Sequence, residues 1–217
     1  ILHSSKIATE HNLPILGVNI GTMGFIAELE AGEIELLRKI PKGDYTVEER
    51  TMLDVSVGNG RQTLFHETAL NDAVITKGAI ARVVQLGIYC DGIEATSYSG
   101  DGVILCTPTG STAYALSVGG PMIYPSVACT LLIPVAPHSL ANRPIVIPEN
   151  SLIEITVTDM RDATLYFDMQ DNSEVLVGDI IKASPYPHRV KILHPSRHNY
   201  FDTLCKKLHW NYLPTDR

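Results

Sequence analysis

One run of the sequence, residues 100–121, constrains the fold more than any other part of the chain. It reads G-D-G-V-I-L-C-T-P-T-G-S-T-A-Y-A-L-S-V-G-G-P. Residues 103–106 are four consecutive apolar side chains, a pattern typical of a buried strand. Pro108 and Gly110 interrupt this pattern, because neither favours a continued strand. The run therefore predicts a buried strand that ends in a tight loop.

The second half of this run has the chemistry of a ligand site. Ser111 or Thr112 is expected to cap a short helix with a side-chain oxygen, and residues 119–121, Gly-Gly-Pro, are expected to end it. Hydroxyl groups and free backbone N–H groups at a helix N-terminus favour anions and polar ligand groups. An ordinary strand-turn-helix junction is the alternative. The run is too long and too polar for a turn alone, which favours a ligand site.

The N-terminal part of the chain predicts α/β structure. Residues 1–11 have helical content, and residues 15–20 suit a short buried strand. Residues 33–40 place apolar side chains at the spacing of an amphipathic helix. Residues 1–44 are therefore interpreted as a partial N-terminal α/β domain.

The remainder of the chain predicts many short strands. Asn59-Gly60 and Asp91-Gly92 are strong hairpin signals between apolar runs. Such spacing predicts an all-β, sandwich-like domain over residues 45–195. Residues 199–209, within a last segment 196–217, predict a terminal amphipathic helix. The expected fold class is mixed α+β.

Composition excludes several classes of protein. The chain has 217 residues, 45% of them hydrophobic, which is enough to bury a sizeable core. Its net charge of −7, with no basic run, argues against nonspecific nucleic-acid binding. Its four cysteines form no C-x-x-C pair and are expected to be reduced thiols in a cytoplasmic protein. No apolar run approaches the roughly 20 residues needed to cross a membrane.

The central run resembles the signature of a known enzyme family. T-P-T-G-S-T-A-Y at 107–114, followed by S-x-G-G-P at 117–121 and preceded by G-D-G, is similar to the signature of NAD kinases. Asp72 stands where that family usually has Glu, and Met23 where it has Leu. The other segments that match the family in order are G-V-N-I-G-T-M-G-F at 17–25, L-N-D-A-V-I at 70–75, P-H-S-L-A-N-R-P-I-V at 137–146, F-D-M-Q at 167–170 and the tail at 200–210.

This resemblance implies a reaction and a set of partners. The reaction is phosphoryl transfer from ATP, or another phosphate donor, to the 2′-hydroxyl of the adenosine ribose of NAD. It implies a divalent cation such as Mg²⁺ and self-association to a dimer or tetramer, with no nucleic-acid or membrane partner. It also implies that the first domain binds nucleotide and that the C-terminal helix returns to it.

The resemblance assigns binding roles to individual residues. Asn71 and Asp72 are implied to bind the ribose, although an Asx turn is the favoured interpretation of an Asn-Asp pair from the residues alone. Ser99 and Asp101 are implied to contact the dinucleotide, in some family members across a subunit boundary. The residues implied to line the NAD site in the signature run are Thr112, Ala113, Tyr114, Ala115, Leu116 and Ser117. Weaker matches to binding positions are Gln170, Arg82 and His3, and a solvated charge at a strand end is the alternative interpretation of Arg82. From the residues alone, Phe25 is equally compatible with the wall of a ligand pocket and with the core. Metal ligands are left unassigned.

The general base of the family is not in this sequence. In NAD kinases that base is the Asp of a G-G-D-G-T loop, and the chain is expected to start just after that loop. The chain as written is therefore expected to be inactive, since loss of a general base typically costs about 100- to 10,000-fold. Two alternatives stay open at this point. One is a lipid kinase of the diacylglycerol type, a family that shares G-G-D-G but lacks T-P-T-G-S-T-A-Y. The other is a non-catalytic dinucleotide-binding or oligomerisation module.

Overall fold

The computed structural model describes residues 1–21, 24–27, 29–77, 83–139, 141–159, 163–195 and 199–208. These residues form two compact units. The first is formed by His3–Glu49 and by the described residues from Val190 onward, and the second by Arg50–Arg189. Within the described residues, no helix has the length and apolar character required to cross a membrane.

The described residues form short strands and few helices. The helices are α1 (Leu2–Glu10), α2 (Tyr114–Ser117) and α3 (Tyr200–Leu208), with 3-10 helices at Ala31–Lys42 and Thr109–Thr112. The strands are β1 (Pro14–Ile15), β2 (Val18–Asn19), β3 (Leu29–Glu30), β4 (Tyr45–Arg50), β5 (Leu53–Gly58), β6 (Thr63–Ala69), β7 (Asp72–Lys77), β8 (Val84–Cys90), β9 (Ile93–Gly100), β10 (Gly102–Cys106), β11 (Cys129–Val135), β12 (Ile145–Pro148), β13 (Ile153–Val157), β14 (Ala163–Phe167), β15 (Asp171–Val175), β16 (Ile180–Pro185) and β17 (Val190–Pro195).

The first unit combines both ends of the chain. Its sheet has the order β1-β17-β4, and β1 pairs in parallel with β17. Lys207 on α3 forms a 3.0 Å ion pair with Glu30, which also accepts hydrogen bonds from the Asn19 amide. These contacts confirm that the C-terminal helix returns to the N-terminal part of the chain.

The second unit contains two six-stranded antiparallel sheets. The first sheet has the order β12-β11-β10-β7-β14-β15, and the second has the order β6-β5-β16-β13-β8-β9. Alternate side chains of each sheet enter one shared apolar core, as the two-residue period of a strand requires. Fully buried members of that core include Val55, Leu86 and Ile155 from the second sheet and Ile75, Leu105 and Leu165 from the first. The expected sandwich-like domain and the mixed fold class are confirmed.

The outer face of the first sheet is covered by residues 107–123, which follow β10. Ile104 and Leu131 on that face pack against the buried Ala115, and Val118 and Ile123 complete the cluster. The segment that follows β10 therefore folds back over its own sheet. This apolar contact holds the loop between strand and helix in a defined place.

Local predictions differ in how well they match the structure. Asp91 and Gly92 form the two-residue turn between β8 and β9, with φ of +51° and +77°, as predicted. The strand predicted over residues 15–20 is instead two short strands in different sheets, β1 and β2. Gly17 separates them at a close approach, since a Cβ there would lie 2.8 Å from the Ala27 Cα. The amphipathic helix predicted at residues 33–40 lies within the longer 3-10 helix and has no buried residue.

The two units divide the chain at 49/50 and 189/190. Strands β4 and β17 belong to the first unit because they pair in the three-stranded sheet with β1. The domain boundaries predicted from the sequence, at 44/45 and 195/196, stay a prediction.

Leu105→Ala is expected to destabilise the second unit strongly. The Leu105 side chain is fully buried between the sheets, so its truncation leaves a cavity that costs about 2–5 kcal/mol. Ile93→Ala is the control, because Ile93 is 73% exposed and its truncation should change stability by about 0.5 kcal/mol or less. Urea unfolding of both variants measures the difference. Equal effects of the two substitutions would contradict the core assignment.

Candidate functional site

The loop after β10 is built from two short helical turns with a break between them. Thr109–Thr112 is a 3-10 turn, Ala113 leaves the helical region with φ −99° and ψ −132°, and α2 then begins at Tyr114. Neither turn has a side-chain cap, so the expected capping role of Ser111 or Thr112 is wrong. The continuous helix expected from that cap is likewise replaced by this broken segment.

Ser111 has a structural role instead. Its side chain is completely buried, and its hydroxyl donates to the Pro108 carbonyl at 2.6 Å. The same oxygen accepts from the Ile123 N–H at 3.0 Å. Ser111 thereby ties the loop to the segment beyond α2, a partner that no local pattern indicates.

The end of α2 follows the predicted pattern. Gly119 adopts φ +85° and its N–H donates to the Leu116 carbonyl at 3.1 Å. The Gly120 N–H donates to the Ala115 carbonyl at 2.9 Å. Glycine is suited to this left-handed position because it lacks a Cβ. The Gly-Gly-Pro terminator predicted at residues 119–121 is thus confirmed.

Thr107 joins the loop to the residues that precede β7. Its N–H donates to the Asn71 carbonyl at 2.9 Å, and its hydroxyl donates to the Leu70 carbonyl at 2.6 Å. Gly110 lies against the same backbone, since a Cβ there would be 2.2 Å from the Asn71 oxygen. The structure therefore brings Asn71 and the signature loop into direct contact.

Asp168 holds the same backbone from another direction. It follows β14 at φ +49°, and its carboxylate accepts three N–H groups, from Leu70 at 2.9 Å, Asn71 at 2.7 Å and Asp72 at 3.1 Å. The turn that begins with Asp168 also contains Gln170, whose side chain is exposed. Gln170 therefore shares a turn with the residue that holds Asn71.

Asp72 is a buried carboxyl group with an unmet acceptor. Its side chain is 2% exposed, and within the described part of the chain its Oδ1 atom has no hydrogen-bond partner. Burial, and to a lesser extent the charge of Asp168, raise the pKa of Asp72 from 3.8 to about 7. Its cross-strand neighbour is Cys106, and burial together with the nearby Asp72 charge raises the pKa of that thiol. Asp72 therefore changes charge near neutral pH.

The residues predicted to line the NAD site at positions 112–117 differ in their exposure to solvent. Tyr114 is 37% exposed and Ser117 is also exposed, whereas Thr112, Ala113 and Leu116 are half-buried. The Thr112 hydroxyl donates to the Thr109 carbonyl at 3.3 Å. The Ala115 side chain is fully buried in the outer-face cluster, so only its backbone is near the loop surface.

Ser99 and Asp101 lie at the opposite end of β10 from Asn71. The register pairs Gly102 with Thr76 and Cys106 with Asp72, so β10 runs the full distance between the two groups. At roughly 3.4 Å per residue, the five steps along the strand from Asp101 to Cys106 span about 17 Å. Asp101 also forms a 2.7 Å ion pair with Lys77. Within one chain the structure does not bring these two groups together.

The remaining predicted positions lie elsewhere. His3 is exposed on α1 and Phe25 is half-buried, both in the first unit. Arg82 lies outside the described residues. Among the residues that the structure describes, no three His, Cys, Asp or Glu side chains are grouped to hold a metal ion.

Three features of the site were not predicted as such. Asp168 and Thr107 organise the backbone of residues 70–72, and Arg50, 4% exposed, donates to the Thr109 hydroxyl at 3.4 Å. The F-D-M-Q and T-P-T-G-S-T-A-Y segments contain the first two, but the sequence gives no sign of which backbone groups they bond. No pattern in the sequence indicates that Arg50 contacts this loop.

The Asp72 carboxyl predicts a pH dependence of stability that Asp72→Asn should remove. Between pH 3.8 and about 7 the folded chain keeps a proton that the unfolded chain has released. Stability therefore falls as pH rises through this window, by at most about 1.4 kcal/mol per pH unit. The asparagine has no proton to release, so its stability relative to wild type should increase from pH 5 to pH 7.

Urea unfolding of both proteins at several pH values measures this difference. Glu94→Gln, which neutralises an exposed carboxylate on β9, is the control and should follow the wild-type pH dependence. Parallel wild-type and Asp72→Asn curves would mean that the Asp72 pKa is not raised in the folded state.

Comparisons with known proteins show the family to which the chain belongs. The family model described as the ATP-NAD kinase C-terminal domain matches residues 70–194. An NAD kinase of Cupriavidus pinatubonensis is 41% identical over 207 residues, covering 95% of this chain and 68% of that protein. An NAD kinase of Aromatoleum aromaticum is 39% identical over 215 residues, covering 99% of this chain and 72% of that protein.

Solved structures give the same result. Yeast NADH kinase complexed with NADH has a TM-score of 0.86 at 28% identity, covering 92% of this chain and 59% of that chain. An NAD kinase from Archaeoglobus fulgidus in complex with ATP has a TM-score of 0.74 at 27% identity, covering 90% of this chain and 74% of that chain. With a family model that matches more than half of its length and relatives near 40% identity, the chain belongs to the NAD kinase family.

Proposed function

We propose that the chain carries the NAD-binding part of an NAD kinase, the enzyme that transfers a phosphoryl group to the adenosine-ribose 2′-hydroxyl of NAD. The related yeast enzyme complexed with NADH and the archaeal enzyme in complex with ATP support NAD and ATP as its substrates. One observation carries the proposal, namely the direct contact between the Asn71 backbone and the signature loop through Thr107 and Gly110.

Asn71 and Asp72 are proposed to bind the ribose hydroxyls. The Asn71 N–H and carbonyl are both engaged, by Asp168 and Thr107, which leaves the side-chain amide available to donate and accept. Asp72 Oδ1 is an unmet acceptor beside it, and a hydroxyl is a suitable donor. An amide next to a carboxylate is therefore matched to two vicinal hydroxyl groups.

The signature loop is proposed to bind the rest of the adenosine. Tyr114 is 37% exposed and can present its aromatic ring, and Ser117 is an exposed hydroxyl residue in the same short helix. An exposed aromatic face is suited to stacking on a base, where such contacts are worth about 1–3 kcal/mol. Gln170, exposed on the turn that begins with Asp168, extends the polar surface next to Asn71.

Ser99 and Asp101 are proposed to act on the site of a neighbouring subunit. Their separation from Asn71 by the length of β10 is too large for one ribose-binding pair to include them. In a homo-oligomer, Ser99 and Asp101 of one subunit can instead contact the dinucleotide bound to Asn71 of another subunit. Asp101 then presents a carboxylate paired with Lys77 to the partner's ligand.

The 217 residues provide binding groups but no proposed general base. The sequence contains no G-G-D-G-T segment, and Asp72 and Asp101 are assigned to binding. Phosphoryl transfer needs a group that accepts the proton and a divalent cation on the donor phosphates. The described residues do not group into a metal site, so no step is assigned to the cation. These residues alone are proposed to bind NAD with little or no turnover.

Calorimetry with NAD, paired with a coupled assay for NADP formation with Mg-ATP, tests the proposal. The chain should bind NAD, and NADP formation should be lower by about 100- to 10,000-fold than in an enzyme with its base. Asn71→Ala should abolish binding, because it removes a group assigned to the ribose. Tyr114→Ala should weaken binding by about 5- to 150-fold, which corresponds to a stacking contact of about 1–3 kcal/mol. Tyr89→Ala is the control, since it truncates a half-buried aromatic side chain in the second sheet.

Two outcomes would contradict the proposal in different ways. Turnover at the rate of a complete kinase would show that a carboxylate in this chain, Asp101 or Asp72 first, serves as the base. No NAD binding by well-folded protein would remove the NAD site and favour a role in oligomerisation.

A further inference from the structure

Asp168 has hydrogen bonds that its place in a surface turn does not require. Its carboxylate is 5% exposed and accepts from three consecutive N–H groups, those of residues 70–72, at 2.7 to 3.1 Å. Its own N–H donates to the Asp72 carbonyl at 2.9 Å. A turn between two strands needs none of these bonds to close. They connect the turn to a segment that is 96 to 98 residues away in sequence.

The segment that Asp168 holds is also held from its other side. Thr107 donates to the carbonyls of Leu70 and Asn71 while Asp168 accepts from the amides of the same residues. The backbone of residues 70–72 is thus bonded through both kinds of polar group. Buried backbone groups that are all paired cannot rotate without loss of a bond. We call these hydrogen bonds of Thr107 and Asp168 to the backbone of residues 70–72 the clamp. The clamp sets the direction of the Asn71 and Asp72 side chains.

We propose that Asp168 is a positioning residue for NAD, which acts by fixing the backbone from which Asn71 and Asp72 reach the ribose. This inference rests on the proposed function, because it needs those two residues to be the ribose-binding pair. Asp168 itself needs no contact with the ligand. A carboxylate suits the task because its two oxygens accept several N–H groups at once and its charge strengthens each bond.

The charge of Asp168 has a second effect on the pair. Among the residues that the structure describes, the charged or titratable groups that face Asp72 are the Asp168 carboxylate from the turn after β14 and the Cys106 thiol from β10. Burial raises the pKa of Asp72 to about 7, and the negative charge of Asp168 contributes to this rise because it disfavours ionisation of Asp72. Asp168 therefore also influences the pH range over which Asp72 accepts a hydrogen bond from a hydroxyl.

Asp168→Asn separates this role from ordinary turn stability. The asparagine has the same shape but loses the charge and one acceptor oxygen. We expect the Kd for NAD at pH 8 to rise roughly tenfold, which corresponds to one lost charge-assisted hydrogen bond. The wild-type affinity should fall as pH is lowered through about 7, because Asp72 becomes protonated. In Asp168→Asn this fall should occur at lower pH, because the neighbouring negative charge is gone.

Asp179→Asn is the matched control. Asp179 is 6% exposed, lies in the turn between β15 and β16, and accepts from the Leu176 N–H at 2.9 Å. It is therefore another buried carboxylate that closes a turn in the same unit. Its substitution should lower the melting temperature but leave both the Kd for NAD and its pH midpoint unchanged.

Calorimetry of the full 217-residue chain and its variants from pH 5.5 to 8.5 gives these values. If Asp168→Asn does not fold, amide hydrogen exchange in the wild-type chain decides instead. The amides of residues 70–72 should be protected before NAD is added, because the clamp exists without the ligand. Free exchange of these amides in the absence of NAD would overturn the inference.

The inference and the proposed function fail in distinguishable ways. A wild-type chain that does not bind NAD would overturn the proposed function, and the inference with it. Binding that is lost in Asn71→Ala but is the same in Asp168→Asn and Asp179→Asn, at every pH, would overturn the inference alone.

Discussion

The paired hydrogen bonds on the backbone of residues 70–72 are the constraint on which the candidate site depends. They join three segments that meet at one end of the first sheet, namely the start of β7, the loop after β10 and the turn after β14. The buried Ser111 and the apolar cluster around Ala115 then hold the loop on the outer face of the same sheet. The sandwich core fixes the register of the strands, and the register brings the three segments together.

The two buried carboxyl groups at this end of the sheet have unequal surroundings. Asp168 has three N–H groups that compensate its charge, whereas Asp72 has an oxygen with no partner in the described part of the chain. The two carboxyl groups therefore have different roles. Asp168 stabilises the local backbone, whereas Asp72 keeps an oxygen that can accept a hydrogen bond. An unmet acceptor in a fold is costly unless something binds there. The cost is concentrated at the residue beside Asn71.

Features that depend on neighbouring residues could be predicted from the sequence. Features that depend on contacts between distant parts of the chain could not. The Asp91-Gly92 turn and the helix end at Gly119 follow from the positive φ angles that residues of these types adopt. Ser111 could not be understood in this way, because its partner Ile123 becomes a neighbour only after the chain folds back over the sheet. Asp168 is a stronger case, since its bonds reach across almost a hundred residues. The separation of Asp101 from Asn71 likewise required the register of β10.

The first unit has a consequence for the order in which the chain folds. Its sheet has β17 in the middle, between β1 and β4, and β17 comes from the last part of the described chain. The second unit is continuous in sequence, and every strand of its two sheets lies within Arg50–Arg189. During synthesis from the N-terminus, the second unit has all of its strands before the first unit obtains its central one. Until β17 has been made, the edges of β1 and β4 that pair with it lack this partner.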